Sequence, residues 1–296
     1  VLYRQVYQQG MVEPIHALVV PEKLRSTLLA TAHGDPLTGG HLAAHKVFEK
    51  LRARYWWPRM YWHANEHCKQ CDSCVTAKGR VGSAPHKNFA LPHRPFQVVG
   101  IDFTGPFTSS DGSMKYIIVL SDYLTRWVEV KATPDKEAST VAAFLLEVFS
   151  RHGVAEVILS DRGSEFNNEL VDRFCELCAT DHRTTPAYRP QTNGLTERFN
   201  GTMKRMLEHY VNEFQTDWDK YLPMVAFAYR TAYQSSLRST PFGMLYGREA
   251  RLPADVTWVD DEVPTYDPRD YRQQLDTALV RRRAWGRKYL EQTQGR

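Results

Sequence analysis

Val98-Val99-Gly100-Ile101-Asp102-Phe103 sets one carboxylate inside an apolar run that reads as a buried strand. An acid so placed is costly unless it is paired or binds a cation. Working outward, Tyr116 to Leu120 and Trp127 to Val130 are two further strand-like runs, and Ala138 to Phe149 has the periodicity of an amphipathic helix. Val157-Ile158-Leu159 is a short strand that ends at Ser160-Asp161, and the strand ends of α/β sheets are where ligands bind. Glu169 to Cys178 is helical. So is Leu195 to Val211, which follows the turn pair Asn193-Gly194 and carries Glu197 in its first turn. Strands first, then strand and helix in alternation, predict an α/β sheet domain.

Asp102, Asp161 and Glu197 are separated by 58 and 35 residues. Each taken singly has a bland explanation: Asp161 as a turn cap, Glu197 as a favourable charge at a helix N-terminus. Brought together, three carboxylates cannot all stay ionised without cations. They would hold two Mg²⁺ ions about 4 Å apart, an arrangement suited to in-line attack on a phosphodiester.

The N-terminal third carries a different constellation. His33 and His41 are separated by seven residues, and Cys71 and Cys74 follow 29 residues later as a Cys-x2-Cys pair. Two imidazoles and two thiolates make a closed tetrahedral set for Zn²⁺, structural because no position stays open for substrate. A module this small needs such a staple. Cys68 with Cys71 makes a second Cys-x2-Cys pair, and His45 and His67 are also in reach. Cys175 and Cys178 repeat the spacing within an apolar helical stretch, where a core role is expected. The aromatic run Tyr55-Trp56-Trp57-Pro58 after Arg54 suits packing of the small core better than base stacking.

The chain has 296 residues, 42% hydrophobic and 24% charged, enough for one large core and a smaller module. Net charge is +4, with 12 Lys/Arg against 6 Asp/Glu in residues 1–90, a bias that suits phosphate contacts. Five cysteines, clustered, argue against a secreted disulfide framework and for a reducing, intracellular setting. There is no apolar run long enough for a membrane helix and no visible signal peptide. A start at Val1 suits a processed or excised piece. Residues 1–30 read as a hairpin and then a helix opened by Pro21, residues 31–40 as a loop, and His41 to Arg54 as a helix. Residues 251–266 read as extended, and Asp267-Pro268 as the cap of a terminal helix reaching about Gln292.

These stretches closely resemble the integrase of Ty3/Gypsy-type long-terminal-repeat retrotransposons. The resemblance is carried by His33 with Gly40-His41-Leu42, Tyr55 to Met60, and Cys71-x2-Cys74-x3-Lys78. In the second half it is carried by Asp102-Phe103-Thr104-Gly105-Pro106, Ser160 to Phe166, and Tyr188 to Asn200. Ser239-Thr240-Pro241-Phe242 and Leu245 to Arg248 continue it, so that it spans roughly residues 15–255.

The resemblance implies an RNase H-like mixed-sheet catalytic core of residues 94–250, preceded by a helical HHCC zinc-binding domain of residues 31–80. An N-terminal extension (1–30), a linker (81–93) and a terminal segment (251–296) leading towards a C-terminal DNA-binding module complete the expected organisation. It implies 3′-end processing and strand transfer of element DNA into target DNA, with Asp102, Asp161 and Glu197 as the catalytic, Mg²⁺- or Mn²⁺-binding acids. Zn²⁺ would sit on His33, His41, Cys71 and Cys74. Tyr188, Gln191 and Asn193 fall in a loop that would adapt to a DNA end, and Lys204 is expected to reach a phosphate. Gly201 stands where related integrases carry a basic side chain. The expected partners are double-stranded DNA (element ends and target), further copies of the chain and other regions of a Pol polyprotein, with no membrane. The expected setting is the nucleus after a cytoplasmic virus-like particle stage. Two alternatives share the core: an integrase-derived DNA-binding protein without catalysis, and an RNA-cleaving nuclease, which the HHCC set and the 35-residue spacing disfavour.

Overall fold

The computed structural model describes residues 2–6, 15–76, 91–184, 194–253, 255 and 268–294. The chain forms two units, one of Val1–Ser83 with Phe227–Leu290, the other of Ala84–Ala226 with Glu291–Arg296.

In the first unit, β1 (Tyr3–Val6) and β2 (Ile15–Val19) pair antiparallel, and the two-residue β3 (Tyr55–Trp56) adds parallel to β2. Helix α1 (Glu22–Gly34) starts directly after Pro21, whose fixed φ suits a helix entry. It runs through residues expected to be loop, so His33 lies in its last turn. Helix α2 (Ala44–Arg52) begins three residues later than its periodicity suggested, because His41 takes a left-handed φ of 47° and cannot be helical. Helices α3 (Met60–Lys69) and α4 (Asp72–Thr76) follow. Val20, Leu28, Leu29, Val47, Leu51, Tyr55, Trp57 and Met60 form one buried cluster. Tyr55 and Trp57 are therefore core residues, unavailable to a base.

The second unit is a five-stranded mixed sheet. Its strands are β4 (Val98–Thr104), β5 (Tyr116–Asp122), β6 (Val128–Thr133), β7 (Val157–Ser160) and β8 (Asp181–Thr184), in the order β6-β5-β4-β7-β8. β4, β5 and β6 form an antiparallel meander, while β7 and β8 run parallel to β4. Ile117 to Leu120 are buried throughout, as in a strand covered on both faces. Helix α5 (Ala138–His152) makes the crossover from β6 to β7 and buries Val141, Phe144, Leu145, Val148 and Phe149. Helix α6 (Glu169–Leu177) is capped by Asn168, whose side chain accepts from the Val171 N–H. Cys175 is buried in its apolar face and Cys178 half-buried at its end, the core role expected of them.

Helix α7 (Gly194–Leu207) ends four residues short of its expected limit and packs on β4 and β5 through Phe199, Met203, Met206 and Leu207. Helix α8 (Trp218–Arg230) follows. In the first unit again, α9 (Pro241–Tyr246) is capped by Thr240 and α10 (Pro268–Gln294) lies against it, with Gly286 against Met244 and Arg282 paired to Glu249. Residues 77–90, which include most of the expected linker 81–93, residues 185–193 and most of 251–267, Asp267 among them, lie outside the described residues. No helix among the described residues is long and apolar enough to cross a membrane.

Candidate catalytic and metal centres

The four His and Cys residues come from three places. His33 is on the last turn of α1, His41 on the tight turn after it, and Cys71 and Cys74 flank the start of α4. Asp35 builds the turn: its carboxylate accepts from the Leu37 and Thr38 N–H groups at 3.0 and 2.8 Å, and its carbonyl from Gly39 N–H. The His41 N–H then bonds back to the His33 carbonyl at 2.8 Å. As a result one ligand atom from each of His33, His41, Cys71 and Cys74 lies within 4.8 Å of the others. His33 presents Nε2, 3.3 Å from Cys74 Sγ, and His41 presents Nδ1, 3.3 Å from Cys71 Sγ.

The opposite nitrogen of His33, Nδ1, is 3.1 Å from the Leu42 carbonyl, an outer contact of the kind that orients a metal-binding imidazole. Cys68 sits on that outer side as well, 3.3 Å from Nδ1. Burial, and next the charge of Cys71, push the thiol of this half-buried residue up to about 11, which favours its neutral form beside the set. Two nitrogens and two sulfurs at this spacing suit Zn²⁺ in a closed site.

In the sheet unit, register brings the first two acids together. Gly100 pairs with Leu159 at the end of the parallel β4–β7 ladder, so two residues further along each chain Asp102 and Asp161 come near enough for the charge of one to act on the other. Adjacent strands are ~4.8 Å apart. Burial and then the charge of Asp161 push the Asp102 carboxyl up to about 7, with Glu197 and Glu165 adding to the rise. Burial also raises Glu197, opposed by Arg198. Glu197 is exposed on the first turn of α7, whose opposite face is anchored in the core.

Three further residues belong to this site. Asn200, one turn after Glu197, donates from Nδ2 to Asp102 Oδ2 at 2.8 Å, while its Oδ1 is buried without a partner among the described residues. Glu165 is four residues beyond Asp161, and a Cβ placed on Gly163 would lie 2.6 Å from Glu165 Oε2 and 3.0 Å from Asp161 Oδ1, so both carboxylates face the same glycine. Lys136 Nζ donates to Glu165 Oε1 at 2.8 Å and lies over the Phe103 and Tyr116 rings at 5.9 and 5.7 Å. A cluster of oxygen donors with an acid displaced towards neutrality and an unused amide oxygen fits a hard divalent cation such as Mg²⁺. Lys204, exposed on α7, lies with its Nζ 5.6 Å from the Phe107 ring. Tyr188, Gln191 and Asn193 lie outside the described residues.

Comparison with known families matches residues 20–80 to the integrase zinc binding domain and residues 92–190 to the integrase core domain. The chain carries the zinc-binding and core domains of an integrase.

Its relatives are of the same kind. It is 28% identical over 272 residues to a retrovirus-related Pol polyprotein from transposon 412 of Drosophila melanogaster, covering 91% of this chain and 22% of that protein. It is 26% identical over 242 residues to Gypsy retrotransposon integrase-like protein 1 of Bos taurus, covering 81% of this chain and 48% of that protein. The chain thus spans half or less of the length of these relatives. Among solved structures, the simian T-cell lymphotropic virus intasome in complex with PP2A regulatory subunit B56 gamma matches with a TM-score of 0.47 and 18% identity, over 69% of this chain and 70% of that one. The mixed sheet is the RNase H-like integrase core, and the His/Cys cluster sits in the HHCC domain that precedes it.

Asn200, Glu165 and Lys136 are not marked as site residues by the sequence alone. Asn200 and Glu165 were inside recognised stretches, and the signal was helical spacing: Asn200 is three residues from Glu197 and shares its side of α7. Lys136 sits in the connection from β6 to α5, with nothing in its neighbourhood of sequence to mark it.

Proposed function

We propose that this chain is a retrotransposon integrase that processes the 3′ ends of element DNA and transfers them into target DNA by phosphodiester transesterification. Asp102, Asp161 and Glu197 are its catalytic acids. The observation that carries this reading is the β4–β7 register, which sets Asp102 beside Asp161, with Glu197 acting on the same carboxyl.

In this reading the three carboxylates would hold Mg²⁺ (or Mn²⁺), which when bound supplies Lewis-acid activation of the attacking oxygen and of the leaving oxygen. Asp102 would hold such a cation through its carboxylate, which the Asn200 amide steadies by its hydrogen bond to Oδ2. The exposed position of Glu197 leaves the third ligand free to meet a DNA end. Lys204, on the same helix, contacts a backbone phosphate, and Tyr188, Gln191 and Asn193 contact the DNA end. Zn²⁺ on His33, His41, Cys71 and Cys74 stabilises the small domain. Both DNA ends call for more than one copy of the chain, acting in the nucleus after a particle stage in the cytoplasm.

The test is resealing of a branched DNA that mimics the integrated product, with Mg²⁺ or Mn²⁺, by wild type, Asp102→Asn and Glu197→Gln. Metal-dependent resealing by wild type alone is expected. Binding of the branch by folded wild type without any product would turn the reading to DNA binding without catalysis. Preferential cutting of RNA–DNA hybrids would turn it to an RNA-cleaving nuclease.

A further inference from the structure

We infer that His182 and Ser160 form a hydrogen-bond relay that positions Asp161 for cation binding. Ser160 is the last residue of β7 and is fully buried. Its Oγ lies 2.8 Å from the Asp161 carbonyl oxygen and 2.8 Å from His182 Nε2. A hydroxyl has one proton, and a carbonyl can only accept. Both bonds therefore form together when His182 carries its proton on Nε2 and donates it to Ser160, which donates in turn to Asp161. The other ring nitrogen, Nδ1, faces the Asp172 carboxylate of α6 at 3.6 Å.

The register explains how these residues meet. His182 is the direct partner of Ile158 and Thr184 that of Ser160. Residues two apart on a strand share a face, so His182 leans one pair along to reach Ser160. The order Ser-His-Asp is that of a hydrolytic nucleophile, but Ser160 has no exposed surface and its proton is committed to a carbonyl. Asp161 lies just beyond the β7–β8 ladder, where strand pairing no longer fixes it. The relay holds its carbonyl, and the Gly163 N–H holds its carboxylate at 2.9 Å. His182 and Ser160 are thus positioning residues, acting through Asp161.

The inference rests on the metal-binding role proposed for Asp161. Its test measures Mn²⁺ binding by calorimetry and branched-DNA resealing on the full chain, for wild type, His182→Ala, His182→Gln and Ile158→Val. The last loosens the same strand pair without touching the relay. His182→Ala should weaken Mn²⁺ binding and lower kcat by about tenfold each, the size of effect expected when an outer contact of a ligand is lost, with KM for DNA unchanged. His182→Gln, which keeps a donor near the Nε2 position, should recover most of both, and Ile158→Val should match wild type. Wild-type affinity and kcat in His182→Ala, or no recovery in His182→Gln, overturns the relay. If wild type binds Mn²⁺ but reseals nothing, and His182→Ala still binds more weakly, the relay stands and the transesterase reading falls. If wild type binds no Mn²⁺, both fall.

Discussion

Asn200 Nδ2 donates a 2.8 Å hydrogen bond to Asp102 Oδ2, tying the helix that bears Glu197 to the strand that bears Asp102. Neither residue is near the other in sequence, and the bond fixes the separation of two of the three acids. Asn200→Ala should leave the sheet folded and reduce branched-DNA resealing by roughly ten- to a hundredfold, as loss of an outer ligand contact does. Unchanged turnover would mean that core packing of α7 suffices to place Glu197.

Asp102 sets a pH dependence whose sign is fixed. Its folded carboxyl lies at about 7 against an ordinary 3.8, so the fold holds a proton that the unfolded chain has released. The contribution of this group to stability is greatest below 3.8 and falls as pH rises towards 7. Asp102→Asn should therefore melt above wild type at pH 8 without divalent ions, by roughly 2–4 °C per kcal/mol recovered. The cation must displace that proton, so Mg²⁺ affinity of the wild type should climb as pH passes through 7 and then level. Thermal melts and calorimetry at pH 6, 7 and 8 check both; an affinity independent of pH contradicts the assignment.

The zinc cluster separates two neighbouring thiols. Cys74→Ser should lose stoichiometric zinc and the cooperative melt of α1–α4, while Cys68→Ser should keep both, since Cys68 contacts the outer nitrogen of His33. Metal analysis of the purified variants decides; zinc loss in Cys68→Ser would reopen the choice of ligands.

Gly39 and Gly34 make a sharper pair. A Cβ on Gly39 would lie 2.5 Å from the Asp35 nitrogen and 2.5 Å from the His33 carbonyl oxygen, both backbone atoms with nowhere to move. A Cβ on Gly34 would come no closer than 3.9 Å to the His41 ring. Gly39→Ala should reduce zinc affinity by tenfold or more by displacing His41, and Gly34→Ala should not. Competition against a chelator would show equal affinities if the turn is not what places His41.

Lys50 supplies an opposite pH trend in the same unit. Its ammonium is buried on α2, donates to the Thr38 carbonyl in the turn before His41, and is pushed down to about 7, chiefly by burial and then by Arg54. Between 7 and 10.5 the unfolded chain holds a proton that the fold lacks, so this unit should gain stability as pH rises across that window. Lys50→Met should flatten the trend in melts from pH 7 to 10.

Much of the site was legible because chemistry was written in local patterns. Asp102 sat alone in an apolar strand, Asp161 closed a buried run, and Cys71-x2-Cys74 had a metal's spacing. Hidden were features created by pairing between distant segments. The left-handed φ of His41 delayed α2 by three residues, β8 is too polar for its Asp181 to Thr184 run to read as a strand, and Lys136 meets Glu165 only because α5 returns to the sheet. The link from Ser160 to His182 is hidden for the same reason: it is a diagonal across β7 and β8, and no periodicity marks it.

The β4–β7 register has one more consequence. Asp102 and Asp161 are neighbours because two strands pair, whatever length of chain joins them. The connection between β4 and β5 turns around exposed Asp111 and Gly112, at the far end of β4 from Val98. A lineage, or an engineer, could lengthen that turn or graft a reporter peptide into it while the β4–β7 pairing that brings the two acids near each other is kept. The 58 intervening residues are thus a tolerance, whereas a one-residue slip in β7 would send Asp161 to the wrong face and part the proposed acid pair.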